Sequence, residues 1–456
     1  NPMGWLDSIE HNRWLSAQLQ ALIAEAKVST TPSGFSEGPD GEEPSERDQF
    51  TLSARMLHAF SLGTLLGLPG SRRYADHATR TLRRVIDEHL KELPDPSAVD
   101  EEENTDSEAY KAEVRGGDID YQLDNALLIS ASAAAAVANR PGAHELLLEA
   151  LHEQERRWLA PNSLVYGAIA SGSTQHKAPI VSLGTLASTT EAYLAAAEAT
   201  ADPVWIDRAE AITLAVARMG NEASWRLGEY IDIETSSPVA QGEQGWAKKW
   251  EHWSSTPVLE GVQIGTLLRW ARLSIQVRAA LRSLGRKPDD ALLEAATEFF
   301  ERARVDGWRQ LGHAGFVTSV GFDDHEKQIL NNRHYMWVAC EGVCAAVSLA
   351  RALRDDGASE GEVEHYEHCY RSWLDFINDE LIVRPGQWLH VLSFDNQVTE
   401  ESAPRSGDIA WAIQTVLIGR IPMWPPFASA ISRGLLDHPE EAPADRRSWV
   451  PFRRRH

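Results

Sequence analysis

Apolar residues recur three and four positions apart along most of the chain, the spacing that lays one stripe along a helix. The runs are Trp5 to Ala26, Gln49 to Leu68, Tyr74 to Leu90, Tyr121 to Asn139, Glu145 to Leu159 and Leu183 to Ala201 in the first half. Ala209 to Met219, Gly265 to Leu284, Leu292 to Arg304, Trp337 to Leu353, Val363 to Leu381 and Ile409 to Ile418 follow. They predict about twelve helices of ordinary length. Start signals agree. Ser45 with Asp48, and Ser359 with Glu362, stand at capping-box spacing, and Pro203 and Pro288 sit where a first helical turn accepts proline. Strand-like segments are confined to short pieces such as Gly315 to Gly321 and Gln387 to Phe394.

Helix pairs follow one another at roughly 30 to 40 residues without a recurring consensus, which suits a closed ring of helical hairpins better than a solenoid. The pattern predicts an all-α fold, an (α/α)6 barrel of about twelve helices, with residues 4–437 forming one domain and 438–456 a tail that ends in Arg453 to Arg455. Three loops are long and polar: Ser29 to Glu46, Pro94 to Gly117 and Glu229 to Gly261. They are expected on the pocket side, where a ring of this kind carries its function. The second is strongly acidic and reads either as a mobile solvated loop or as a lid. The third holds Trp246, Trp250 and Trp253.

Composition narrows the partners. A formal charge of −23 and a pI near 5.1 set the chain against phosphate backbones and anionic lipid surfaces, so neither nucleic acid nor membrane is expected. A small-molecule ligand is the expected partner, with assembly into a homo-oligomer left open. The three cysteines, Cys340, Cys344 and Cys369, lie in apolar runs without metal-ligand spacing and read as buried thiols. No stretch of about eighteen consecutive apolar residues occurs and no basic leader precedes an apolar run, which predicts a cytoplasmic protein. No HExxH pair, phosphate-cradling glycine loop or cysteine set is present, so no metal and no cofactor is expected.

The run Ala54 to Leu62 (ARMLHAFSL), followed by Leu66-Gly67-Leu68-Pro69-Gly70, closely resembles the first barrel hairpin of the N-acylglucosamine 2-epimerase superfamily, nearest its mannose and sulfoquinovose isomerase branch. Four further phrases agree in order: Glu191 to Ala197 (EAYLAAA), Trp270-Ala271-Arg272-Leu273, Trp337-Val338 with Glu341, and Asp408-Ile409 before Ala412-Ile413-Gln414. Gly386 to His390 also resembles the family's Gly-Ser-Trp-x-His element. The resemblance implies isomerisation or epimerisation of unphosphorylated sugars through an enediol-type intermediate, with histidines as general acid and base and an arginine and a glutamate steering the substrate.

The same alignment places other residue types where those histidines stand. Ser188 takes the position three residues before Glu-Ala. Gly265-Thr266-Leu267-Leu268-Arg269-Trp270 replaces Gly-His-x-x-Glu-Trp, and Asp408-Ile409-Ala410-Trp411-Ala412 replaces Asp-x-Tyr-His-Ala. Hydroxyls, an indole and a guanidinium do not exchange protons near neutrality, and each general acid–base group is typically worth ~10²–10⁴ in rate. A family barrel with altered chemistry is therefore expected, acting on a sugar-like or other small organic ligand. Arg55 matches the substrate-facing arginine, and Arg55, Arg269 and Arg333 together would favour an anionic group on that ligand. Arg269 is otherwise expected to point outward or to pair with Glu341 or Asp408.

Other candidates complete the set. Asp118, Asp120 and Asp124 stand at the mouth of a helix, where Asp120 and Asp124, one turn apart, would raise one another's pKa and supply an acid, or would simply welcome the helix N-terminus. The Asp-x-Asp phrase also resembles part of the class II terpene cyclase motif, which makes a proton-initiated cyclase or a lyase on an apolar substrate the second reading. A non-catalytic sugar-binding protein is the third. Glu341, Asp408 and His390 are further candidate catalytic groups, and Ser188, Glu191, Thr266, Trp250, Trp337 and Trp411 candidate ligand contacts, since aromatic faces stack on sugars. His58 and His334 read as structural histidines.

Overall fold

The computed structural model describes residues 6–38, 44–92, 119–239, 250, 253–254, 256–309, 312–322 and 328–439. Twelve helices account for the predicted stripes: α1 (Ile9–Val28), α2 (Glu46–Leu65), α3 (Ser71–Glu92), α4 (Gln122–Val137), α5 (Ala143–Glu153), α6 (Leu183–Thr200), α7 (Val204–Glu222), α8 (Ile264–Ser283), α9 (Asp290–Gly307), α10 (Met336–Asp355), α11 (Glu360–Phe376) and α12 (Ile409–Ile418). A thirteenth short helix, α13 (Phe427–Ser432), was not predicted.

The even-numbered helices form the inner ring. Each packs on the next, α2 on α4, α4 on α6, α6 on α8, α8 on α10 and α10 on α12, and α12 returns to α2. The odd-numbered helices from α3 to α11 lie outside, each against the inner helix it is joined to, and α1 closes the ring by packing on α12, so the two halves of one hairpin come from opposite ends of the chain. This is the expected (α/α)6 barrel. Inner helices are buried nearly all round: α10 is long and apolar enough to cross a membrane by length and composition, yet 89% of its apolar window is enclosed by its neighbours. Cys340, Cys344 and Cys369 are buried free thiols, as expected.

The buried hydroxyls of the inner helices need no distant partner. Ser61, Ser132, Thr189, Thr190, Ser274, Ser348 and Thr415 each donate to the carbonyl four residues earlier. Caps follow the sequence signals: Ser45 accepts from the Asp48 N–H, and Ser359 with Glu362 completes a capping box.

Short antiparallel ladders gather where the inner helices begin. Ile119–Tyr121 pairs with Ala168–Ala170, Ile180–Ser182 with Tyr230–Asp232, Val262–Gln263 with Ser319–Val320, and His334–Tyr335 with Val391–Leu392. One strand of each ladder runs directly into α4, α6, α8 or α10. The N-terminal ends of the inner ring are thereby held at fixed spacing. At the opposite end α13 lies against α2 and α4.

Candidate functional site

A cavity of about 380 Å³ runs along the barrel axis, lined by α2, α4, α6, α8 and α12 and by the segment Met423 to Ser429. Its lining is of two kinds: Arg55, His58, Ser188, Glu191, Arg269, Arg272, Trp411 and Gln414 form a polar belt, and leucines, alanines, a valine and the Met423–Phe427 segment form most of the rest, broken by Ser130, Ser182, Thr185, Gln276 and Ser429.

The belt is organised by two carboxylates. Glu191 on α6 receives Arg269 Nη2 at 2.7 Å and Arg272 Nη2 at 2.6 Å. Arg272 also bridges to Glu341 on α10, with Nε and Nη2 each at 3.0 Å from its oxygens, and Gln414 Nε2 donates to the same carboxylate at 3.3 Å. Burial alone would raise the Glu191 carboxyl, but the guanidinium groups of Arg269 and Arg272 hold it down at about 2. Burial would lower Arg272, yet Glu341 and Glu191 overcome this and raise it. Glu191 and Arg272 stay charged at neutral pH and move no protons.

Arg269 lines the cavity and is neither outward nor paired with Glu341 or Asp408, the alternative the sequence left open. It pairs with Glu191, donates to the Ser188 hydroxyl at 2.9 Å, and lies 5.3 Å from the Trp411 ring centroid in cation–π geometry. Trp411 in turn packs on Trp337, with centroids 5.7 Å apart. Gly265 is what admits Trp337: a Cβ there would come within 2.3 Å of the indole. Arg55 is the guanidinium of the belt with no ion-pair contact among the described residues. Its Nη1 donates to the Gly407 carbonyl at 3.2 Å, and burial lowers its pKa, with Asp408 and Glu37 opposing at longer range.

His58, read from sequence as structural, lines the cavity and is the imidazole that does so among the described residues. Burial pushes it down to about 4 against the pull of Glu191, so it faces the cavity neutral. Behind the wall stands a group the sequence did not single out. Glu229, at the start of the third long loop, accepts the Gly184 N–H on Oε1 at 3.0 Å; the Thr266 hydroxyl approaches it from α8, and Oε2 is left without a well-formed hydrogen bond. Burial raises this carboxyl to about 7.

Residues 38–410 match the family profile described as N-acylglucosamine 2-epimerase (GlcNAc 2-epimerase). The chain belongs to the N-acylglucosamine 2-epimerase family. A D-mannose isomerase of Pseudomonas cannabina pv. alisalensis is 27% identical over 433 residues, covering 94% of this chain and 97% of the relative. A D-mannose isomerase of Thermobifida fusca is 28% identical over 435 residues, covering 94% and 98%. Among solved structures, a D-mannose isomerase superposes with a TM-score of 0.68 at 18% identity over 90% of this chain and 98% of that one. The cellobiose 2-epimerase of Spirochaeta thermophila gives 0.61 at 17% identity over 89% and 95%. At those identities the structural likenesses show the shared barrel.

In this family member several candidates named from sequence lie away from the cavity. Asp120 sits in the strand before α4, not on the helix, so it does not share a helical face with Asp124. Its carboxylate meets His89 at 2.9 Å, Arg157 at 2.7 Å and the Ser171 hydroxyl at 2.8 Å; burial would raise it, and these partners hold it below the usual carboxylate range. Asp124, in the first turn of α4, pairs with Arg47 at 3.0 Å, and burial raises it in spite of that pair. Asp118, the acidic loop proposed as a lid, Trp246 and the tail from residue 440 lie outside the described residues.

Arg333 pairs with Glu401 and is not among the cavity-lining residues, so the expected set of three guanidinium groups does not converge. Trp250 closes a separate small apolar cluster with Ile180 and Tyr230, its ring 5.3 Å from the tyrosine. His390 Nδ1 lies 2.6 Å from Asp408 Oδ2 beneath Tyr335, and Asp408 faces a second cavity between α1 and the Arg384–Trp388 segment. His334 bonds to Asn396 Oδ1 at 2.7 Å and serves packing. Thr266 is buried and does not line the axial cavity.

Proposed function

We propose that this family member binds a small organic molecule at the polar belt of the axial cavity, and that its reaction is not the histidine-pair isomerisation of an ordinary relative. One observation carries the reading: among the described residues the cavity meets one imidazole, His58, held neutral, while Glu191, Arg269, Arg272 and Glu341 pair with one another. An enediol route needs one group to take the proton from carbon and another to deliver it to oxygen, both able to change state near pH 7. Glu191 and Arg272 keep fixed charges and, ion-paired with Arg269 and Glu341, act as an electrostatic frame. The alignment that puts Ser188, Thr266 and Trp411 at the family's imidazole positions supports the same conclusion.

Arg55 and His58 are the groups with hydrogen-bonding capacity to spare, and they would hold the ligand. A guanidinium without an ion-pair partner among the described residues favours a carboxylate, sulfonate or phosphate oxygen, or a pair of sugar hydroxyls. The cyclase reading draws no support from the acids that prompted it, since Asp120 and Asp124 are engaged elsewhere. The relatives' names make D-mannose the first compound to test. Incubation with D-mannose and a panel of aldoses and ketoses in D₂O, followed by proton NMR, should show neither C2 deuteration nor ketose formation at a family-like rate. Rapid aldose-to-ketose conversion would overturn the reading. Arg55→Ala should weaken binding of any ligand found by at least about tenfold, the scale of a charge-assisted hydrogen bond.

A further inference from the structure

Away from the polar belt the axial cavity presents a second kind of surface. On α4 the residues Leu123, Leu127, Ala131, Ala134 and Val137 recur at helical spacing and face the axis. Leu123, Leu127 and Val137 are only half-buried although they sit inside the ring, because no side chain among the described residues covers that face. Beside them, on the neighbouring helix α6, stand Leu194 and Ala195, one turn beyond Glu191. Met423, Trp424, Pro426 and Phe427 form the floor, carried there by the segment that leads into α13. A ring packed only for stability would fill this space, since side chains bordering a gap lose their dispersion contacts.

We propose that the ligand is amphipathic: a polar head held at Arg55 and His58, and an apolar limb, an alkyl, acyl or aryl substituent, lying along α4 down to the Met423–Phe427 floor. This rests on the site reading above and adds to it the substrate class. A free hexose would present hydroxyls to this wall and leave most of them without partners, since Ser130 is the polar side chain that α4 offers to the cavity, and beyond the belt Gln276, already taken by Arg272, and Ser429 add little. An apolar limb meets no such cost. The charge pattern also sets the orientation, because the fixed belt at Glu191, Arg269 and Arg272 cannot take an apolar group without desolvation and the apolar chamber cannot take a charged one.

The test is a homologous series of n-alkyl mannosides, methyl to octyl below their micellar concentrations, with n-alkanols as a headless control, titrated into the full-length protein by calorimetry and ligand-observed NMR. The glycosides cannot be isomerised, so they report binding alone. Affinity should rise about fourfold per methylene, on the order of fiftyfold from methyl to butyl, and level off when the limb reaches the floor. Leu194→Ala, which widens the chamber, should move the plateau to longer chains; Ala134→Phe, which fills it, should abolish the gain while the methyl compound binds as before. Circular dichroism shows whether the filled variant folds, and if it does not the widened variant alone decides. A flat series, or a gain untouched by the folded variants, overturns the proposal. So does failure of both glycosides and alkanols to bind. A flat series whose affinity still falls in Arg55→Ala would sink the apolar limb and leave the head-group site standing; a chain-length gain indifferent to Arg55→Ala would do the reverse.

Discussion

Replacing Glu229 by Gln tests whether this carboxyl holds its proton inside the fold. The group is 4% exposed, takes one N–H from Gly184, and is raised by burial from an ordinary value of 4.5 to about 7. In the unfolded chain it ionises near 4.5; in the native chain it keeps the proton until about 7. Between those values the native state binds the extra proton, so stability falls as pH rises, by about 1.4 kcal/mol per pH unit. The contribution is fully present below pH 4.5 and lost by about pH 7, in all up to about 3 kcal/mol. Gln keeps the acceptor for Gly184 and cannot ionise. Urea unfolding of the two proteins at pH 5 and pH 8 should therefore give similar stabilities at the lower pH. At the higher pH the variant should be the more stable, by up to about 3 kcal/mol. A difference that does not change with pH, or a parent that is the more stable at pH 8, would refute the assignment of a buried, protonated Glu229.

Glu341→Gln removes a carboxylate whose side chain is 0% exposed from Arg272, itself 2% exposed. Breaking a buried pair typically costs about 3–5 kcal/mol, and with Glu191 still on Arg272 the loss in urea unfolding should fall at the lower end. Arg272→Met in the same chain should recover part of it. Asp120→Asn should destabilise by about 1–3 kcal/mol through Arg157 and His89, leaving ligand affinity within about twofold. Because the native Asp120 carboxyl is held below 3.8, its contribution is present above that pH and lost as pH falls through the native value, so the gap between parent and variant should close in acid. Loss of turnover in Asp120→Asn would revive the cyclase reading.

The barrel was legible because helix period, capping signals and loop lengths all act locally, and α13 escaped because a helix this short has too few turns to show a stripe. Side-chain pairing across the ring was not legible. Arg269 could have met Glu341, Asp408 or solvent, and only the placement of α6 against α8 brings it to Glu191 and Ser188. Asp120 and Asp124 fail to share a helical face because the chain is still extended at 119–121 and α4 starts at Gln122, a boundary that side-chain spacing does not reveal. His58 was visible inside the resemblance, but a lone histidine on an apolar helix gives no sign of which way it faces. Glu229 lay at the edge of a long loop, where a glutamate is ordinarily solvated. The apolar chamber left no trace at all, since α4 reads in sequence as one more core helix.

The unusual residues of the belt depend on one another, and this has a consequence for any attempt to restore family-like chemistry. Arg269 needs a counter-charge and finds it in Glu191; its remaining donor uses the Ser188 hydroxyl, and its flat face uses Trp411, which is steadied by Trp337 over Gly265. Thr266 sits buried beside Glu229, and a histidine there would meet a carboxyl that keeps its proton until about pH 7. On the alignment proposed above, Thr266→His alone installs an imidazole with a guanidinium where its acidic partner should be, and Trp411→His alone strips Arg269 of its ring. Neither single change should raise C2 deuteration of an aldose in D₂O, although each imidazole in working order is worth ~10²–10⁴. The triple change with Arg269→Glu adds a third carboxylate beside Arg272, which already bridges two, and it is the smallest set expected to give exchange. Appearance of exchange in either single variant would show that these positions act independently, and would remove the electrostatic reason for reading the belt as one unit.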